Sequence, residues 1–438
     1  MTNQEDYGWA TRFPSVARRA APESAAPEPA PASVAYDLDG QTVFKAGLRG
    51  AALMVPTLGL HRFWMLTRLR RMFWNAIRID GEPLEYTGRP SELIFGFLVA
   101  VVILAVILGG ANLALVFAGL VGGFDLGLAF NASLPLLIPL GYYAQYRARR
   151  YLAARTRWRG IRFGMAPGAA TYALHATGHL LLTIATLGIL YPRMQVLLAR
   201  RQQESTWYGN IRFRQEADWR RLMTPWLVIW IPVLLAIGNA FRMGLVAFPE
   251  LQATLDDGAD DPVARAEAME RLGFDIVSMF GVLAIVGVVA WPLLRRYGAA
   301  EERELMGGLS LGPARFASTL RTGALLGLDV RTMLVYLLVA VLGGILVSSL
   351  VMTISLAGVV LLGGQIAILL ATAASYAFIL IAFVAVGWLA RVHWPVKARL
   401  EALTITGADR LSEARQREDD AAREGGGFAD ALDVGAGF

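Results

Sequence analysis

His175 and His179 stand four residues apart, a spacing that puts two imidazoles on one face of a helix. Two imidazoles can begin a divalent-metal site, but no Glu follows His175 in an HExxH arrangement and no acid lies within the segment. Hydrogen bonding to a neighbouring helix is the simpler use of the pair. Other polar groups sit inside apolar runs: Asn112, Asn131, Asn239, Arg242 and Gln365. Asn239, Arg242 and Gln365 are the candidates for substrate contact, because intramembrane polar groups often mark a pathway. Arg242 has a plainer reading, a salt bridge to Asp275 at the same end of the following run. Gly307-Gly308-Leu309-Ser310-Leu311-Gly312 lacks the Lys-Ser/Thr ending of a phosphate loop. There are no cysteines, which excludes disulfides, thiolate metal sites and cysteine nucleophiles. Paired carboxylates, a triad and a metal set are all missing from the sequence, so the reading is a non-enzyme without a cofactor.

The arginines form the largest chemical feature. The chain has 41 basic residues and only Lys45 and Lys397 among them are lysines. Arg147 to Arg162 holds seven arginines, Arg193 to Arg221 seven more and Arg295 to Arg331 six. Arg62, Arg68, Arg70, Arg71, Arg78 and Arg89 precede the first long apolar run. Guanidinium forks grip phosphate bidentately. Arg70, Arg71, Arg149, Arg150, Arg200 and Arg201 are therefore candidate contacts for anionic lipid phosphates. Nucleic acid is not expected, because anionic headgroups compete for arginines that lie against a membrane.

Long apolar runs must carry these groups. Of the 438 residues 55% are hydrophobic and 17% charged, and mean hydropathy is +0.48. Thr332 to Ala390 is 59 residues without a charge, which no soluble core requires. Six segments reach spanning length: Leu93–Val121, Leu126–Tyr146, Leu222–Phe241, Ile276–Leu294 and two within Thr332–Ala390. The last two are expected to break near Ser355 to Gly358 or at Gly363-Gly364. Val43–Leu60 and Gly164–Tyr191 are weaker and lie between basic clusters. The positive-inside rule puts the arginines in the cytoplasm and the acidic stretch Glu250 to Glu270 outside. The two weaker segments must then re-enter, form tight hairpins or lie in the interface.

The weak segments resemble one another. Thr57-Leu58-Gly59 precedes Arg71 by the interval at which Thr186-Leu187-Gly188 precedes Arg200. Short alternating stretches centred on glycine follow, around Gly81, Gly160 and Gly209, with fainter versions at Gly307-Gly308 and Gly407 and an opening one at Tyr36 to Gly40. These read as short strands that pair into a small sheet. The internal duplication is common in transport folds.

The run Thr57-Leu58-Gly59, Trp64, Arg68, Arg70-Arg71, Asp80-Gly81 and Leu84 to Gly88 resembles the YjgN-like bacterial inner-membrane proteins. Thr186 to Tyr191, Gly209 and Phe213 fit the same pattern. The resemblance implies a multi-pass inner-membrane protein of unassigned function and brings no catalytic residues. The expected fold is an all-α polytopic membrane protein. It has six full transmembrane spans, two re-entrant or interfacial segments and short β-strands on the cytoplasmic face. Residues 1–35 form a disordered tail, 36–410 the membrane domain and 411–438 a flexible acidic tail, with both termini cytoplasmic. Two functions stand at this point: a transporter or channel-like protein, and a non-transporting scaffold that binds anionic lipid or a protein partner through its arginines.

Overall fold

The computed structural model describes residues 31–122, 134–257, 262–361 and 364–416. The chain alternates hairpins of strand with hairpins of helix. Strands β1 (Pro31–Ala32) and β2 (Val34–Tyr36) lead into helices α1 (Gly40–Met54) and α2 (Arg62–Ala76). Next come β3 (Ile77–Ile79), β4 (Glu82–Tyr86), α3 (Pro90–Gly122) and α4 (Leu137–Arg155). The third group is β5 (Thr156–Trp158), β6 (Ile161–Met165), α5 (Ala169–Ala185) and α6 (Tyr191–Glu204). The fourth is β7 (Thr206–Tyr208), β8 (Ile211–Gln215), α7 (Arg220–Asp257) and α8 (Pro262–Gly307). The fifth is β9 (Leu309–Leu311), β10 (Ala314–Ser318), α9 (Thr322–Leu361) and α10 (Gly364–Gly387). A π-helical turn, Trp388–His393, then leads to α11 (Trp394–Glu401) and β11 (Leu403–Thr406).

All eleven strands join one antiparallel sheet in the order β1-β11-β10-β9-β8-β7-β6-β5-β4-β3-β2. The two ends of that order, β1 and β2, are separated in the chain by Ser33 alone, so the sheet curls into a nearly closed barrel. Ser33 is pinned there by Asp80: its N–H donates to Asp80 Oδ1 at 3.1 Å, and the Asp80 N–H donates to its carbonyl at 2.9 Å. The tight turns follow from sequence. Ile79 faces Glu82 across Asp80-Gly81, and both turn residues have positive φ, +52° and +80°. This is the primed geometry whose twist matches paired strands, and Asp-Gly supplies it at low cost. Inside the barrel Trp158, Tyr208, Leu311 and Ile405 pack with Ile79, Phe163, Phe213 and Phe316.

This overturns the all-α expectation. The glycine-centred stretches are not a minor feature; with Pro31–Ala32 and Val34–Tyr36 they close a sheet around its own apolar core. Residues 31–35 and 411–416, expected as tail, belong to this barrel. Leu411 and Ala414 pack into its core, and the Arg415 N–H donates to Asn210 Oδ1 at 3.0 Å.

The helices answer to the hydropathy. Among the described residues five, rather than six, are long and apolar enough to cross a membrane: Pro90–Gly122, Arg220–Val246, Met269–Gly307, Thr322–Thr353 and Thr372–Glu401. The sixth expected span, Leu126–Tyr146, lies partly outside the described residues, and α4 carries arginines through its second half. Only 6% to 22% of each apolar window is buried, so these faces are available to lipid. The two weaker segments form short helical hairpins. Each turns on a Thr-Leu-Gly element, with Leu58 and Leu187 at φ +48° and +52° and the glycines after them at +88° and +84°. The turns differ in surroundings. Leu58 is 94% exposed, whereas Trp226 and Trp230 of α7 donate their indole N–H groups to the carbonyls of Gly188 and Leu187.

Candidate functional site

Five helices return to the barrel, and each runs directly into a strand: α2 into β3, α4 into β5, α6 into β7, α8 into β9 and α11 into β11. Counting back from each strand gives the same geometry every time. The residues seven before the strand are Arg70, Arg149, Ala199, Glu302 and Val396, and all five line one cavity of about 680 Å³. The residues three before it, Trp74, Ala153, Gln203, Met306 and Leu400, line the same cavity. They share a helix face because positions four apart in a helix do. Leu84, Phe163 and Phe213, which also contact the barrel core, give the cavity an apolar floor. The volume suits a ligand of ordinary small-molecule size.

The residue next along each helix points elsewhere. The guanidinium of Arg71 donates to the Gly88 carbonyl at 2.9 Å, Arg200 to Ala217 at 2.9 Å and Arg303 to Leu320 at 2.6 Å. Arg150 Nε donates to the Met165 carbonyl at 3.2 Å. Each of these arginines ties a returning helix to the end of the β-hairpin it enters. A hydrogen bond from a charged donor contributes about 1.5–3 kcal/mol. Two Arg-Arg pairs are thus split: Arg70 and Arg149 face the cavity while Arg71 and Arg150 clamp the fold, whereas in Arg200-Arg201 the first residue is the clamp and the second is exposed.

Charge within the cavity is mainly positive. Arg70 is 1% exposed, and its Nη1 donates to the Tyr86 hydroxyl at 3.5 Å with the guanidinium over the Tyr86 ring. Arg149 donates to Gln202 Oε1, and Gln202 in turn donates to the Tyr172 hydroxyl. Its partners are therefore neutral. Desolvation pulls the Arg149 pKa below the ordinary arginine value, opposed only by interaction with Tyr172, whose own pKa is pushed up to about 12 chiefly by burial. Arg399 also lines the cavity, 3.8 Å from Glu302. Three guanidiniums thus face one carboxylate. Arginines grouped around one carboxylate leave the cavity lining net positive, which an anionic ligand would complement.

The structure separates the other sequence candidates. Arg201 is exposed, beside Arg200 but outside the cavity. Arg242 donates to Asn239 Oδ1 at 3.1 Å, and both residues are exposed on α7, far along the chain from any cavity-lining position. Gln365 begins α10, and its side chain lies outside the described residues. Asn131 also lies outside them. His175 uses Nδ1 on the Thr171 carbonyl at 2.7 Å. Burial and nearby Arg193 lower the His179 pKa, which favours the neutral ring. No group of three potential ligands that could hold a metal occurs among the described residues. Sequence reasoning missed Trp74, Gln203, Glu302 and Arg399. Their signal is register, the fixed interval back from each glycine-centred strand, and not residue type.

Residues 32–431 match a single family, described as bacterial protein of unknown function (DUF898). The chain belongs to this family. The YjgN-like resemblance is to the same family. The match spans the barrel, its five helical hairpins and the closing 3₁₀ turn, so the cavity lies wholly within the family's boundaries. No curated protein and no solved structure is detectably similar.

Proposed function

We propose that this protein is a multi-pass protein of the bacterial inner membrane, with both termini cytoplasmic, that holds an anionic amphiphile in the cavity at the barrel mouth. The observation that carries this reading is Arg149: an exposed guanidinium that bonds the neutral amide of Gln202, on the wall of a cavity shared with Arg70 and Arg399. An anionic head, phosphate or carboxylate, would meet these arginines, and its apolar body would lie on Leu84, Phe163 and Phe213. The arginine clusters support the orientation.

Holding, and not conducting, is the role the geometry favours. The barrel core is filled by its own side chains, and Leu411 and Ala414 pack into it. The polar span residues Asn239 and Arg242 bond each other, and neither lines the central cavity. The experiment is native mass spectrometry of the full chain released from membranes. The expected result is one retained anionic amphiphile per chain, lost in Arg149→Gln. Retention of only zwitterionic lipid, or equal retention in Arg149→Gln, would overturn the proposal.

A further inference from the structure

A second cavity, about 580 Å³, lies at the seam where the N-terminal strand region meets α11. Its wall includes Lys45, Lys397, Arg331 and Asp39. These two lysines are the only ones in a chain that otherwise uses arginine for every basic position. They come from opposite ends of the sequence and reach the same cavity. General composition does not explain that convergence.

Register sharpens the point. Lys397 stands six residues before β11, where the other four returning helices carry Arg71, Arg150, Arg200 and Arg303. Those four bind a carbonyl at the end of their own β-hairpin. Strand β11 opens no hairpin of its own: it lies between β10 and, from the other end of the chain, β1. At this one position the clamp is a lysine that lines a cavity, with an exposed contact to Glu401 at 3.8 Å.

The remaining groups are arranged for an anion. The Arg331 guanidinium lies over the Trp394 ring, 3.9 Å from its centroid, a cation–π contact that holds it at the cavity wall. The Asp39 carboxylate is engaged as the cap of α1, accepting from the Thr42 N–H at 3.2 Å. His393 Nδ1 and the Tyr36 hydroxyl are 2.9 Å apart, which fixes the imidazole at the cavity wall. His393 ends the π-helical turn, a distortion found often at functional sites.

We infer that this cavity binds a phosphate group, held by the two ammonium groups and Arg331. Compact ammonium donors beside a guanidinium suit a small multivalent oxyanion. The phosphate has two sources of equal chemistry, a soluble phosphate or a lipid headgroup. The inference stands apart from the central-cavity reading, because it uses none of the same side chains.

With two lysines in the chain, the test can read each one directly. The full protein in phosphatidylcholine nanodiscs is labelled with an amine-reactive reagent, and the rate at Lys45 and at Lys397 is followed by peptide mass spectrometry. The probes are inorganic phosphate and, separately, phosphatidic acid in the nanodisc, each compared with chloride at matched ionic strength. The expected result is about tenfold slower labelling at both lysines together. Protection by inorganic phosphate identifies a soluble source, and protection by phosphatidic acid alone identifies a headgroup. Arg331→Gln should raise the probe concentration needed by about tenfold, while Arg201→Gln should not. Rates unchanged by both probes, or protection confined to one lysine, would overturn the inference.

Discussion

The inner and outer faces of the five returning helices contrast sharply, although their arginines are neighbours in sequence. Arg70 and Arg149 face the cavity; Arg71, Arg150, Arg200 and Arg303 face the joints between strand and helix. A step of one residue turns a helix by about 100°. The same side chain in adjacent positions therefore serves recognition on one face and architecture on the other. What distinguishes them is the partner. Outer arginines meet backbone carbonyls, which keep a full share of lone pairs for a charged donor. Arg149 meets an amide and, beyond it, a phenol, both neutral, at the wall of the cavity.

This contrast can be broken by mutation, and the largest effect belongs to the inner face. Arg149→Gln removes a charge-assisted contact of about 1.5–3 kcal/mol, which lowers affinity for an anionic amphiphile by about ten- to a hundredfold. Equilibrium binding to the detergent-solubilised protein checks this, with stability changed little, because Arg149 is exposed and gives up only its bond to Gln202. Arg200→Ala should do the reverse. It loses the Ala217 carbonyl contact, costs about 1.5–3 kcal/mol of stability and leaves amphiphile affinity within twofold, read by denaturant unfolding alongside the same binding assay.

The two Thr-Leu-Gly turns offer a smaller and independent comparison. A Cβ at Gly188 would lie 2.6 Å from the Trp230 ring, whereas one at Gly59 would meet nothing within 4 Å. Both glycines have φ near +85°, so alanine at either costs roughly 1–2 kcal/mol for the left-handed backbone. Gly188→Ala adds a clash and should destabilise the protein distinctly more than Gly59→Ala in the same unfolding assay. Equal losses would show that the Trp226–Trp230 pair does not hold the second turn. Arg201→Gln should be the smallest change, within about 0.5 kcal/mol, because surface substitutions away from packed features seldom do more.

Much of this organisation is legible in the sequence, and the limits have physical causes. The apolar runs mark α3, α7, α8, α9 and α10 because spanning length is set by bilayer thickness. Glycine-centred alternation marks the hairpins, since Asp80-Gly81 and Arg159-Gly160 occupy turns that need positive φ. Closure of the barrel is not legible. It depends on β1 pairing with β11 across nearly the whole chain, and Pro31–Ala32 lies in a Pro/Ala-rich stretch with no strand signature. The arginine clusters are legible as basic, but their division into cavity and clamp is not, because both members of a pair have one residue type. Only the register against the following strand separates Arg70 from Arg71. Glu302 and Gln203 escape notice for the same reason: neither type is unusual where it stands, and only the barrel brings them together with Arg399.

The central claim is that the cavity-facing arginines, such as Arg149, recognise a ligand while the arginines one position further along the returning helices, such as Arg150 and Arg200, build the fold. The most direct measurement is the affinity of a single-chain phosphate amphiphile, against its zwitterionic phosphocholine counterpart, for the wild-type protein, Arg149→Gln and Arg200→Ala. The account predicts an anionic preference of about tenfold or more in the wild type and in the folded fraction of Arg200→Ala, and loss of that preference in Arg149→Gln. An equal preference in all three proteins, or loss in Arg200→Ala with retention in Arg149→Gln, would contradict it.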